Sequence, residues 1–222
     1  MEIENIIQKV LISAIPILFA IVLHEVAHGY VAFKLGDPTA KMLGRLTLNP
    51  IPHIDLFGTV LMPILLYIFT NGQFVIGYAK PVPINTSNFR NPKRDMAISA
   101  ASGPVTNILL AALSFIILKY VLLPASGIAS SGFFGTIIEP LALIFTASVT
   151  INVIFATFNM LPIPPLDGGR VLMGFLPYRQ AVALSKIEPY GFFIVIIFVA
   201  TGISSYIILP VARFILSIIR ML

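Results

Sequence analysis

A chain of 222 residues that is 58% hydrophobic and only 10% charged, with a mean hydropathy of +0.98, has the profile of a polytopic membrane protein and leaves no room for a separate soluble domain. The net charge of +5 comes from basic residues in short loops beside apolar stretches, and no basic run is long enough to suggest nucleic-acid binding. With no cysteine, disulfides and thiolate metal sites are excluded and the redox compartment cannot be inferred.

The N-terminal Met1 to Lys9 carries Glu2 and Glu4 in place of a basic region, which argues against a removable signal peptide. Apolar segments follow at about Ile6–Leu35, Leu56–Ile76, Met96–Leu123, Ile137–Leu161 and Tyr190–Leu209, with an apolar tail to Leu222. A bilayer core needs ~20 helical residues, so most of these can span it. The expectation is one domain over residues 1–222, mainly α, with about five to six membrane-embedded helices.

Inside the first segment stands His24-Glu25-Val26-Ala27-His28. Two imidazoles four residues apart project from one side of a helix and can share one metal ion. Zinc suits imidazole and acidifies water, and Glu25 is placed to take up the proton. Charged groups at membrane depth cost on the order of 2 to 3 kcal/mol each even on the mildest scale, so such a cluster reads as functional and not as a chance pattern.

Between the first and second segments, Gly44-Arg45-Leu46-Thr47-Leu48-Asn49-Pro50 alternates polar with apolar residues, the period of a strand, and Val75 to Pro83 is similar. Pro81 and Pro83 would confine the latter to a sheet edge. The expectation is a small membrane-associated β element with an open edge able to hold an unwound substrate segment as an added strand.

The second segment is broken by Pro63 and by Asn71-Gly72. Lys34, Lys41 and Arg45 precede it, and Lys80, Arg90, Lys93 and Arg94 follow, so the positive-inside rule puts cytoplasmic charge at both ends. It is read as re-entrant, with a full crossing as the alternative. The uncharged stretch from Tyr120 to Ile138 is read as external, and the fourth segment returns Asp167 and Arg170 to the cytoplasmic end. The last apolar stretch is one span plus a surface helix, or a hairpin split at Gly202 and Pro210.

Two histidines need a third protein ligand, with a fourth position left open. Asp37, His53, Asp55 and Asp167 are the candidates on the correct side. Asp167 follows Pro162, Pro164 and Pro165, which interrupt a helix and let a carboxylate turn inward; it could equally cap the next helix. His53 and Asp55 are read as loop-fixing.

The motif His24-Glu25-Val26-Ala27-His28 in a membrane span, followed by Leu166-Asp167-Gly168 with Asn159 and Pro162 before it, closely resembles the site-2 protease family of intramembrane zinc metalloproteases. Ser102-Gly103-Pro104-Val105-Thr106-Asn107, Gly44 to Pro50 and Gly77 to Pro83 also look like family elements, so the resemblance covers roughly Pro16 to Gly169. It implies Zn2+ as cofactor on His24, His28 and Asp167, Glu25 as general base and acid, and Asn159 either as a polar helper toward the oxyanion or substrate backbone or as a helix-to-helix hydrogen bond. Gly103-Pro104 is read as bending a helix or allowing close packing, and Asn107 as structural. The implied substrate is a transmembrane or membrane-proximal segment of a membrane protein, an anti-sigma or other membrane-tethered regulatory factor among them; lipid is the other partner, and nucleic acid is not one. The chain is short for PDZ or CBS domains. It reads as a prokaryotic inner-membrane protein with its active site toward the cytoplasm. A metal-ion transporter and a catalytically inactive helix-binding scaffold are the rival readings; the first would need serial metal sites, and the second does not explain the full His, Glu, His and Asp set.

Overall fold

The computed structural model describes residues 2–69, 77–128 and 133–222. Within a bilayer each backbone polar group has to be satisfied internally, and the apolar stretches do this as helices. In chain order these are α1 (Glu2–Leu35), α2 (Thr39–Met42), α3 (Met62–Phe69), α4 (Pro92–Ile117), α5 (Leu123–Ile128), α6 (Phe133–Asn159), α7 (Asp167–Phe175), α8 (Tyr178–Ser185), α9 (Glu188–Ala200) and α10 (Ile203–Ile219). Short 3-10 turns at Ile51–His53 and Thr86–Asn88 and π-helical turns at Leu56–Leu61 and Leu118–Leu122 join them.

Among the described residues three helices are long and apolar enough to cross a membrane: Ile12–Leu35, Pro92–Ser126 and Gly135–Asn159. The pair α8 and α9, bent by 66°, makes a fourth if counted as one span. The expectation was about five to six membrane-embedded helices, a re-entrant one among them, and this count of spans covers the described residues alone. The last stretch breaks after Ala200, with Gly202 at φ +75°, while Pro210 lies inside α10. The described part of the second segment is the π-helical turn at Leu56–Leu61 followed by α3, too short to cross; Asn71-Gly72, on which its re-entrant reading turned, lies outside the described residues.

The β element is corrected: among the described residues there is no strand. Gly44 does not open a strand but closes α2. Its φ of +65° lets its N–H reach Lys41 O (3.0 Å) while Arg45 N–H reaches Ala40 O (2.9 Å), the paired bonds of a left-handed helix cap. Beyond it, Thr47 Oγ1 accepts from Asn49 N–H and Asn49 Oδ1 from Ile51 N–H, each at 3.1 Å. These side-chain-to-backbone bonds take the place of a ladder. Residues 77–83 are extended without pairing; Val75 and Ile76 lie outside the described residues.

The chain divides into two compact units. The first comprises residues 1–20, 104–159 and 206–222. Its apolar centre is Ala111, Val153, Ala212 and Ile219, with Phe115, Ile215 and Leu216 against them. Asn107, fully buried, donates to Ala20 O (3.2 Å) and Asn152 Oδ1 (2.8 Å), bonds between helices.

The second unit comprises residues 21–103 and 160–205. Here α1 ends at Leu35 with the same cap, Asp37 N–H bonding to Ala32 O at 2.9 Å. The Asp37 side chain then gathers the following loops. Its carboxylate, 0% exposed, accepts from Thr39 N–H (3.1 Å), Thr39 Oγ1 (2.5 Å), Asn85 N–H (2.7 Å) and Asn88 Nδ2 (2.7 Å).

Burial pushes the Asp37 carboxyl up, but the bonds from Thr39, Asn88 and Asn85 outweigh it and leave the group below its ordinary value. A depressed carboxylate contributes stability that is fully present above its unfolded value of about 3.9 and is lost as pH falls through the folded one. We expect Asp37→Ala to cost on the order of 2 kcal/mol at neutral pH, because several buried donors lose their acceptor. Thermal unfolding in detergent checks this: the advantage of wild type over the variant should be full at pH 7 and shrink as the pH falls below about 4, and equal midpoints at pH 7 would refute the role.

Candidate metal centre

His24, Glu25 and His28 lie in the part of α1 that belongs to the second unit, and the four-residue spacing sets both imidazoles on one face. Asp167 is the first residue of α7. The proline-rich loop before it folds back tightly: a Cβ on Gly168 would stand 2.2 Å from Met160 O, and one on Gly169 2.5 Å from Pro164 N. Leu166, not Asp167, occupies the cap position of α7, so the Asp167 carboxylate turns to the histidines.

His24 Nε2 and His28 Nε2 are 3.0 Å apart. Asp167 Oδ2 is 3.1 Å from the first and 3.2 Å from the second. All three residues are buried. The His28 ring is fixed from behind, with Nδ1 donating to Ser99 O at 2.7 Å. A neutral imidazole that donates from Nδ1 has its lone pair on Nε2, and that lone pair faces a carboxylate oxygen and a second imidazole nitrogen. Asp167 Oδ2 is buried with no hydrogen-bond partner. Acceptors crowded together in this way are reconciled by a cation.

The spacing fits zinc. Bonds of about 2.0 to 2.1 Å in a tetrahedron place ligand atoms about 3.3 Å apart. The three observed separations fall just below that, and the donor set of two imidazoles and one carboxylate is one that zinc accepts.

α4 forms the wall behind the histidines. Ser99 Oγ donates to His28 O (3.0 Å), and Ser102 Oγ donates to Ser99 O (2.6 Å). Gly103, one turn beyond Ser99, lies so close that a Cβ would stand 2.5 Å from His28 Nε2 and 2.7 Å from His24 Cε1. The packing role expected of Gly103 is thus against the imidazoles themselves. Glu25 Oε2 accepts a 2.7 Å bond from Val82 N–H.

Of the four candidate third ligands, only Asp167 meets the histidines. Asp37 is engaged by the loops described above. Asp55 Oδ1 accepts from Gly58 N–H (2.7 Å), and buried His53 bonds through Nε2 to Thr47 O (3.0 Å), both loop-fixing contacts. Asn159 ends α6, where its Nδ2 donates to Phe155 O (3.0 Å) one turn back. Ser99 and Val82 N–H were not singled out from the sequence: a backbone donor has no residue signature, and Ser99 acts at His28 through its backbone carbonyl.

The family described as Peptidase family M50 matches residues 12–202. The chain is 36% identical over 196 residues to the Bacillus subtilis protein named "Putative zinc metalloprotease YwhC", covering 88% of this chain and 83% of that one. It is 30% identical over 164 residues to the Methanocaldococcus jannaschii "Putative zinc metalloprotease MJ0611", covering 73% and 69%. With the Mycolicibacterium smegmatis "Putative zinc metalloprotease Rip2" it shares 29% over 184 residues, covering 83% and 64%. No solved structure matches. A family match that takes in both histidines, Glu25 and Asp167 and runs through most of the sequence leaves one assignment: the chain belongs to peptidase family M50, the site-2 protease family.

Proposed function

We propose that this protein is a zinc-dependent intramembrane endopeptidase that cuts transmembrane or membrane-proximal segments of membrane-protein substrates. The observation that carries the reading is the convergence of His24 Nε2, His28 Nε2 and Asp167 Oδ2, the histidines belonging to a helix apolar enough to cross a membrane. The M50 membership and the names of the relatives support it.

His24, His28 and Asp167 hold the metal. Zinc, when bound, supplies Lewis acidity that polarises a carbonyl and eases deprotonation of water. Glu25 accepts the proton from the attacking water and returns it to the leaving amine nitrogen as the peptide C–N bond breaks. Ser99 O holds His28 in the tautomer that leaves Nε2 free to ligate. A peptide bond inside a membrane helix is already hydrogen-bonded, so the substrate has to unwind before it is cut. The basic residues Lys34, Lys41, Arg45 and Lys80 support a site toward the cytoplasmic side, in our reading of a prokaryotic inner membrane.

A cleavage assay in liposomes with a generic transmembrane-helix substrate, run with and without a zinc chelator, tests the reading. Activity should vanish with chelation and return with zinc; zinc transport without cleavage would instead support a transporter. Glu25→Gln should keep its zinc and lose roughly 100-fold or more of turnover. Near wild-type turnover would remove Glu25 as the base.

Metal analysis of purified variants separates ligands from loop residues. Asp167→Ala should lose zinc along with activity, whereas His53→Ala should retain it. Full occupancy in the first together with depletion in the second would exchange their roles.

Gly103→Ala pushes a methyl group into both imidazoles. Competition with a chelator should show zinc affinity lowered by roughly 10- to 100-fold. Unchanged affinity would mean that α4 can retreat from the site.

A further inference from the structure

The extended segment 77–83 makes a regular set of bonds. Tyr78 N–H donates to Gly58 O (3.0 Å), Lys80 N–H to His53 O (2.9 Å) and Val82 N–H to Glu25 Oε2 (2.7 Å). Alternate N–H groups of an extended chain point to one side. The donors of Tyr78, Lys80 and Val82 are all spent on the protein, while Pro81 and Pro83, between and after them, have no N–H to offer. Two of the three bonds end on loop carbonyls. The third ends on the carboxylate proposed as the general base, and it is the shortest of the three.

The side chain of Val82 is seated as carefully as its N–H. A Cβ on Gly29 would stand 2.7 Å from Val82 Cγ1 and 2.7 Å from Leu46 Cδ2. Gly29 lies four residues after Glu25 on the same face of α1. The helix therefore presents a carboxylate and, one turn on, a bare backbone. Val82 fills the second with its isopropyl group and reaches the first with its peptide nitrogen, and it is 6% exposed.

We propose that the Val82 peptide N–H is a positioning group for Glu25. It occupies Oε2 and fixes the rotamer of a long flexible side chain, so that Oε1 is the oxygen that takes the proton from water and passes it to the leaving nitrogen. The Val82 N–H itself is unchanged through the cycle. The segment 77–83 thereby governs the base without touching the metal ligands. This rests on the reading of Glu25 as the base.

The test deletes that one N–H. In the full zinc-loaded protein in liposomes, residue 82 is replaced by the α-hydroxy acid analogue of valine, which keeps the side chain and turns the amide into an ester. The same exchange at Lys80 removes the neighbouring bond to His53 O and serves as the control. The ester at 82 is expected to lower kcat roughly 10-fold or more with KM and zinc content unchanged, and the ester at 80 to change kcat less than about 2-fold. Equal effects at the two positions, or a loss at 82 that appears in KM or zinc content, would overturn the proposal. Gly29→Ala is the independent variant: it displaces Val82 from α1 while leaving the peptide intact, and it should also lower kcat with zinc retained. Full kcat there, with the Val82 ester inactive only through misfolding, would likewise overturn it. Turnover by Glu25→Gln would remove the base assignment; an inactive Glu25→Gln beside a fully active Val82 ester would remove only this inference.

Discussion

Three acceptor atoms within 3.2 Å of one another, at buried residues of a protein that is otherwise mostly hydrocarbon, are the constraint on which the second unit is organised. Polar groups gathered this closely away from water are costly unless they are paired with one another or with a bound ion. The arrangement persists because each group is held from outside the cluster. His28 is anchored at Ser99, the bare face of Gly103 admits both rings, and the compact turn before α7 aims Asp167. A cation would turn this crowding into coordination, and the surrounding scaffold is what makes the crowding available to it.

The same unit spends its buried polar groups on holding loops where regular structure is missing. Asp37 gathers the turn at Thr39 and the loop at Asn85 and Asn88, and Asp55 caps the turn at Gly58. Arg45 donates to Lys80 O at 2.9 Å, and His53 takes both sides of the same region, bonding Thr47 through its ring and Lys80 through its carbonyl. Arg170 meets Glu188 at 2.8 Å between α7 and α9.

The metal cluster was legible because its chemistry is local. His24 and His28 declare their common face by spacing alone, whereas the prolines before Asp167 left it equally a ligand or a helix cap, and the family resemblance drew it into the set. The β element was misread for an equally local reason. Alternation over seven residues fits a strand, but it also fits a helix cap followed by a Thr and an Asn that bond their own backbone, and Gly44, Thr47 and Asn49 chose the latter. Hydropathy also does not register the bend between Ser185 and Glu188 or the left-handed glycine at 202, so the way the last apolar stretch is divided was not legible. Val82 left no trace in the sequence beyond being apolar, since its contribution is a peptide hydrogen common to nearly every residue.

Asp37 has a further meaning when it is placed beside Glu25. From Glu25 the chain runs along α1 and its cap to Asp37, crosses by a hydrogen bond to Asn85, and returns through Ile84 and Pro83 to Val82, whose N–H closes on Glu25 again. This is a ring with two non-covalent joints and two arms of set length. One added or deleted residue in the helical arm turns everything beyond it by about 100°, so both joints cannot close together. Side chains along these arms can drift over time, but the number of residues in them cannot. The ring behaves as a caliper, and its jaws meet at the proposed base.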